Sequence, residues 1–246
     1  MSTSVVVDHV TKRFKLAHQK TLKKLLVNAT KGRELSDSFT ALEDISFTLE
    51  QGDSIGLMGL NGSGKSTLLK LISGVMAPDS GQILTRGRIA GLIEVGAGMA
   101  SDLSGRDNIY LNGAILGMTD AEIRRKFDAI VDFSEMEPFL DREIRSYSSG
   151  QFARLAFSIA VHTECDIFLM DEMLAVGDQP FKRKCMRRIL GLKDEGRTMI
   201  FVSHNPNQVV RVCERGIVLK AGQMAFEGTA EDAVKALGYE LGDVDD

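Results

Sequence analysis

Short apolar, β-branched runs alternate along this chain with stretches in which apolar residues return every third or fourth position. Residues 4–10, 41–49 and 53–58 have strand character, with a turn near Gly52 between the last two. A glycine-rich loop follows, and then a helical run over 65–73. Residues 102–145 read as mostly helical, a subdomain beside a sheet; within them, 120–132 place Ile123, Phe127, Ile130 and Val131 on one helix face. Residues 167–170 form a short buried strand, 180–195 an exposed basic helix and 198–203 another strand. Asn205 before Pro206 marks a helix start, a side-chain cap followed by a residue with no amide hydrogen to lose. Residues 217–219 and 223–226 predict a hairpin around Gly222. Thr229 caps a final helix, and the tail over 240–246 is acidic and loose. Strands alternating with helices imply a largely parallel sheet flanked by helices. Residues 15–40 interrupt the pattern; they are basic, carry Leu22, Leu25 and Leu26, and read as an inserted helix and loop.

Composition narrows this picture. The chain has 246 residues, which fits one large α/β domain or two small ones, and 43% of them are hydrophobic, enough for a buried core and too many for a disordered chain. Lys and Arg number 30 against 34 Asp and Glu, a net charge of −4, which argues against nucleic-acid binding through bulk charge. No apolar run of about 18 residues predicts a membrane span, and the N-terminus lacks a secretory pattern. Cys165, Cys185 and Cys213 have no metal-ligand spacing and read as free thiols of a reducing compartment.

Two motifs carry chemistry. Gly59-Leu60-Asn61-Gly62-Ser63-Gly64-Lys65-Ser66 fits the phosphate-binding P-loop, and its setting between a strand and a helix (continued by Thr67) is the right one. The glycines let backbone amides turn toward an anion, and the helix N-terminus adds partial positive charge. Lys65 reaches the outer phosphates, and the Ser66 hydroxyl binds Mg²⁺. Residues 167–172, Ile-Phe-Leu-Met-Asp-Glu, form an apolar strand ending in two acids. Beside a P-loop, Asp171 holds Mg²⁺ and Glu172 polarises the attacking water; alone, the same pair would read equally well as a solvated turn.

Between these motifs, Tyr147-Ser148-Ser149-Gly150-Gln151 resembles the LSGGQ signature of ABC ATPases, with Tyr147 in place of leucine and Ser149 in place of the first glycine. The resemblance extends over nearly the whole chain. Asp178, in Leu174-Ala175-Val176-Gly177-Asp178, is similar to the D-loop aspartate at the dimer interface, and His204 to the switch histidine that contacts the γ-phosphate and orients Glu172. Phe14 has two readings, the ring that stacks on adenine and a core packing residue. Stacking tolerates either purine, so ATP and GTP both remain open. The resemblance implies one nucleotide-binding domain over 1–246, with a mixed-sheet core, an antiparallel β subdomain and a helical subdomain over about 100–147. It also implies ATP and Mg²⁺ as ligands. Two copies hold the nucleotide between the P-loop of one and the signature of the other, so Ser148 and the amides of Ser149 and Gly150 act in trans.

Three departures resemble the subfamily that exports lipid-linked polysaccharides: O-antigen, capsule, galactan and wall teichoic acid. Glu94, in Leu92-Ile93-Glu94-Val95-Gly96, replaces the Q-loop glutamine and is a further candidate at the metal; the signature begins Tyr-Ser-Ser; and residues 171–178 read DEMLAVGD. Drift within a general ABC ATPase is the other reading of these departures. The resemblance implies two copies of a separate membrane permease, a lipid-linked glycan as cargo, and a place on the cytoplasmic face of the bacterial inner membrane. Ending at Asp246, the chain is expected to lack the C-terminal carbohydrate-binding domain of some members. Lys20, Lys23, Lys24 and Lys31 of the insert are candidates to meet a pyrophosphate headgroup or anionic lipid, and equally well form a solvated helix face. Soluble ABC ATPases with paired cassettes or long coiled coils fit the length poorly, and P-loop GTPases and kinases lack the signature.

Overall fold

The computed structural model describes residues 2–15, 38–92, 96–171 and 177–239. The strands are β1 (Thr3–Lys15), β2 (Ser38–Glu50), β3 (Ser54–Met58), β4 (Ser80–Thr85), β5 (Ile89–Leu92), β6 (Ile167–Met170), β7 (Thr198–Val202), β8 (Arg215–Lys220) and β9 (Gln223–Thr229). The helices are α1 (Lys65–Ile72), α2 (Gly105–Ile115), α3 (Asp120–Ser134), α4 (Ser149–His162), α5 (Gln179–Asp194), α6 (Pro206–Val212) and α7 (Ala230–Ala236).

Two sheets form among the described residues. One is antiparallel, in the order β2-β1-β4; the other runs β5-β6-β7-β3-β8-β9. In the larger sheet β5, β6, β7, β3 and β8 are parallel and only β9 is antiparallel, closing as a hairpin on β8. Every residue of β3, β6 and β7 is buried, as expected of strands covered on both faces. One face of the sheet packs Phe157, Phe168, Phe181, Ile189 and Phe201 together with α4 to α7. The other packs Ile55, Leu57, Leu169 and Ile200 against α1 and against Val5, Leu42 and Leu49 of the antiparallel sheet. A third cluster, around Ile109, Ile123, Ile130, Leu155 and Ile159, holds α2, α3 and α4 together.

The α/β class with a mixed sheet, an antiparallel part and a helical part is borne out. The face expected on α3 is buried at Ile123, Ile130 and Val131, with Phe127 partly covered. Thr119 closes a capping box with Glu122, Asn205 caps α6 and Thr229 caps α7, each from its side chain. The reading of residues 180–195 as an exposed helix is corrected. Phe181, Cys185, Ile189 and Leu192 of α5 are buried, and their spacing of four, four and three residues is an amphipathic stripe that the surrounding Lys and Arg residues obscure. Strands β4 and β5 were not anticipated: β4 is largely exposed and held by pairing to β1, and β5 is only four residues long. All three cysteines are free and buried; burial pushes the Cys165 thiol up to about 11 and Cys185 up to about 12, so both are inert thiols near neutral pH.

Candidate functional site

In a parallel sheet every strand delivers its C-terminal end to one edge, where ligands of open α/β folds bind. Here β3 lies between β7 and β8, with Leu57 opposite Val202, and β6 pairs with β7 at Met170 and Phe201. The P-loop after β3, His204 after β7 and Asp171 after β6 therefore leave the sheet side by side, His204 in the middle. Adjacent strands are about 4.8 Å apart, so the Asp171 end sits roughly 10 Å from the start of the P-loop. The Asp171 amide donates to Leu92 O at 2.9 Å, which brings the end of β5 to the same edge. Glu94 follows Leu92 by two residues and Glu172 follows Asp171 directly. Both lie outside the described residues, as do the core of the 15–40 insert and the 240–246 tail.

The loop is built around two obligatory glycines. Gly59 has φ 145°, and a Cβ there would lie 2.2 Å from Leu219 O. Gly64 has φ 107°, and a Cβ there would lie 2.7 Å from Ala41 O. The backbone thus threads between the hairpin strand β8 and β2, where no side chain fits. Lys65 is buried across the loop, its Nζ donating to Gly59 O at 2.7 Å and Leu60 O at 3.0 Å. Helix α1 begins with no side-chain cap and no acidic residue in its first turn, so its amides and positive end stay available to an anion. Ser63 Oγ is buried with no hydrogen-bond partner among the described residues. A buried hydroxyl left unmatched costs about 1–3 kcal/mol, and a phosphate oxygen in the loop satisfies it. Asn61 and Ser66 are exposed and Thr67 is half-buried at the mouth.

Phe14 lies on β1 opposite Phe39, half-buried and outside all three core clusters, with Lys12 Nζ 5.8 Å from its ring centroid. The neighbouring strand touches the P-loop through Ala41 and Leu42 against Gly64, so the antiparallel sheet carries the ring beside the loop.

The five-residue segment at 147–151 starts α4. Ser148 is its N-cap: the Gln151 amide donates to Ser148 Oγ at 3.2 Å, and the Ser148 amide donates to Gln151 Oε1 at 2.9 Å. Ser148 and Ser149 are exposed, and the first turn holds no acid. A Cβ on Gly150 would meet nothing nearer than Ser148 Oγ at 3.9 Å, so no contact among the described residues requires a glycine there. Tyr147 is explained locally: its hydroxyl donates to Phe139 O at 2.8 Å and fills the space over Gly105, where a Cβ would lie 2.2 Å from that oxygen. Tyr147→Phe is expected to lower stability by about 1 kcal/mol in a urea titration, from loss of one hydrogen bond; an unchanged midpoint contradicts this.

Asp178 caps α5, its Oδ1 accepting from the Phe181 amide at 3.1 Å. No motif singles out Arg154, which binds this same oxygen through Nη2 at 2.8 Å and Glu135 Oε2 through Nη1 at 2.6 Å. Residues 148–151, Arg154, Asp178 and Glu135 line one concavity, and no residue of the P-loop lines it. The structure therefore gathers the sequence-derived residues into two places. One is the sheet edge with the P-loop, Asp171 and His204; the other is the start of α4 with Asp178.

Comparison with known proteins identifies the family and the fold. Residues 42–175 match the ABC transporter family. The chain is 40% identical to the O-antigen export system ATP-binding protein RfbB of Klebsiella pneumoniae, over 93% of this chain and 94% of that one. It is 44% identical to the ABC transporter protein AbcA of Aeromonas salmonicida, over 80% of this chain and 64% of that one. To the teichoic acids export ATP-binding protein TagH of Lactococcus lactis it is 39% identical, over 94% of this chain but only 49% of that longer protein. Among solved structures it resembles the dimeric post-hydrolysis ATP-binding cassette MJ0796 bound to ADP and Pi, with a TM-score of 0.73, 23% identity, and 92% and 98% of the two chains covered. At that identity the likeness speaks for the fold.

Proposed function

The chain belongs to the ABC transporter family of ATP-binding subunits, and from that premise we propose that it is the ATPase subunit that powers export of a lipid-linked polysaccharide. It works as a homodimer on two copies of a membrane permease at the cytoplasmic face of the bacterial inner membrane. The observation that carries the ATPase reading is a pair of open helix N-termini in separate places. Among the described residues, one is α1, with the orphaned Ser63 hydroxyl; the other is α4, with a glycine that no described neighbour demands. Two anion-facing ends, of which only the α4 end lines the concavity with Arg154 and Asp178, fit one nucleotide gripped by two copies. The export reading is supported by the names of the relatives aligned over most of this chain, one handling O-antigen and another teichoic acids.

Each residue then has a role. The P-loop backbone, Asn61, Ser63, Thr67 and Lys65 cradle the phosphates, and Phe14 stacks on the base. The donors at the metal position are the Ser66 hydroxyl and the Asp171 carboxylate, with Glu94 as a further candidate from the sequence; oxygen ligands of this kind suit Mg²⁺ and leave places for phosphate and water. When bound, Mg²⁺ neutralises charge building on the transferred phosphoryl group. Glu172 accepts a proton from the attacking water while His204, after the neighbouring strand β7, orients water and γ-phosphate. Lys65 of one copy and the amides of Ser149 and Gly150 of the other stabilise the spreading negative charge. Asp178 lies at the dimer seam. Loss of the γ-phosphate removes the bridge between copies, and the helical subdomain passes the opening to the permease. Among the described residues no helix is long and apolar enough to cross a membrane, so vectorial movement falls to that partner.

The test is transport of a labelled lipid-linked glycan by the subunit reconstituted with its permease in vesicles. ATP-driven movement across the bilayer is expected, and a complex that hydrolyses ATP but moves no such glycan overturns the cargo assignment.

A further inference from the structure

We propose that Arg154 is a positioning residue that couples the signature end of α4 to the Asp178 segment, so that the two composite ATP sites of the dimer close together. The inference rests on the dimeric reading above.

Arg154 lies on α4 six residues after Ser148, about 9 Å along the axis from the helix start. Its side chain is mostly covered, 19% exposed. The two ends of its guanidinium fork are used on two different segments. Nη2 reaches Asp178 Oδ1 at 2.8 Å and Nη1 reaches Glu135 Oε2 at 2.6 Å. The plane of the fork lies over Phe181, 4.6 Å from the ring centroid. Each partner is itself fixed. Glu135 sits in the left-handed region at φ 60°, just past the end of α3, and takes a second ion pair from Lys184 Nζ at 3.1 Å. Asp178 caps α5 with the same oxygen that Arg154 holds. One guanidinium thus ties together α3, the start of α4 and the start of α5.

Those segments have separate duties in the dimer. The start of α4 faces the nucleotide on the partner's P-loop. Asp178 is seven residues beyond Asp171, which follows β6 at this copy's own sheet edge. A rigid tie between them means that ordering one copy's sheet edge also sets the helix start it offers to the other copy's nucleotide. A planar, two-armed, ring-stacked contact needs arginine; an ammonium on a flexible stem keeps the charge but not the fork.

The experiment is steady-state ATPase activity of the full-length chain against ATP concentration, wild type beside Arg154→Lys and Asp178→Asn, with thermal melts of each. Wild type is expected to respond with a Hill coefficient well above one. In Arg154→Lys the coefficient falls toward one and KM for ATP rises about tenfold, within the usual range of coupling between sites. ATP binding at protein concentrations too low for pairing stays as in wild type, because the P-loop is untouched. Asp178→Asn, which keeps Arg154, gives the same loss of cooperativity, and the double variant adds nothing further. An Arg154→Lys protein that melts earlier but keeps the wild-type Hill coefficient and KM makes the residue merely structural and overturns the proposal. So does an Asp178→Asn protein with full cooperativity. A wild-type coefficient of one overturns the dimeric reading, and this proposal falls with it.

Discussion

Gly150→Asp is expected to abolish ATP turnover while leaving the folded chain at least as stable as before. The two effects have opposite signs because the side chain meets two different environments. Within the chain an aspartate at the start of α4 is welcome: the site is sterically open, the first turn has no acid, and a carboxylate near a helix N-terminus contributes about 0.3–1 kcal/mol. Glycine is also among the poorer helix formers, so its removal is favourable in itself. Against a partner's triphosphate the same carboxylate is a like charge where an amide should face the γ-phosphate. The amide hydrogen of residue 150 remains, but a donor held away from a developing anion costs about 100-fold or more in rate, and a negative charge beside it costs further. Thermal melts beside phosphate-release assays check both halves. A variant that melts early, or one that hydrolyses ATP normally, contradicts the assignment of this helix start to a neighbour's nucleotide.

Glu172→Gln is expected to lower kcat by about 10²–10⁴, the usual contribution of a positioned base, with ATP binding retained. Glutamine keeps the shape and a hydrogen-bonding oxygen but accepts no proton from water. Asp171, on the preceding position, stays available at the metal. Rapid-quench measurement of a single turnover separates the chemical step from product release. If single-turnover hydrolysis proceeds at the wild-type rate, Glu172 is not the base.

How much of this was readable in the sequence depends on how local each feature is. The P-loop was legible because its determinants are contiguous: glycines at positions that need positive φ, then a lysine opening a helix, all within eight residues. The caps at Thr229 and Asn205 were legible for the same reason, since a side chain reaches an amide three residues on. Helix α5 was misread because its basic residues dominate the composition while the buried set of Phe181, Cys185, Ile189 and Leu192 is sparse. Strand β4 exists through its pairing with β1, and its exposed side chains carry no buried pattern to detect. Tyr147 looked like a departure from a motif; its reason, the carbonyl of Phe139 and the bare Gly105, is supplied by the fold. Arg154 is the extreme case. Its partners lie 19 residues earlier and 24 later, and no periodicity links them.

The same nonlocality applies to the site as a whole. No P-loop residue lines the concavity at the signature, and the two meet at one nucleotide only across two copies. Sedimentation of Glu172→Gln with saturating ATP and Mg²⁺, together with a count of bound nucleotide, tests that join directly. A species of twice the chain mass holding two ATP is expected, and it falls apart when Gly150→Asp is added. A species that stays at single-chain mass with one ATP bound, under conditions where the nucleotide site is full, contradicts it.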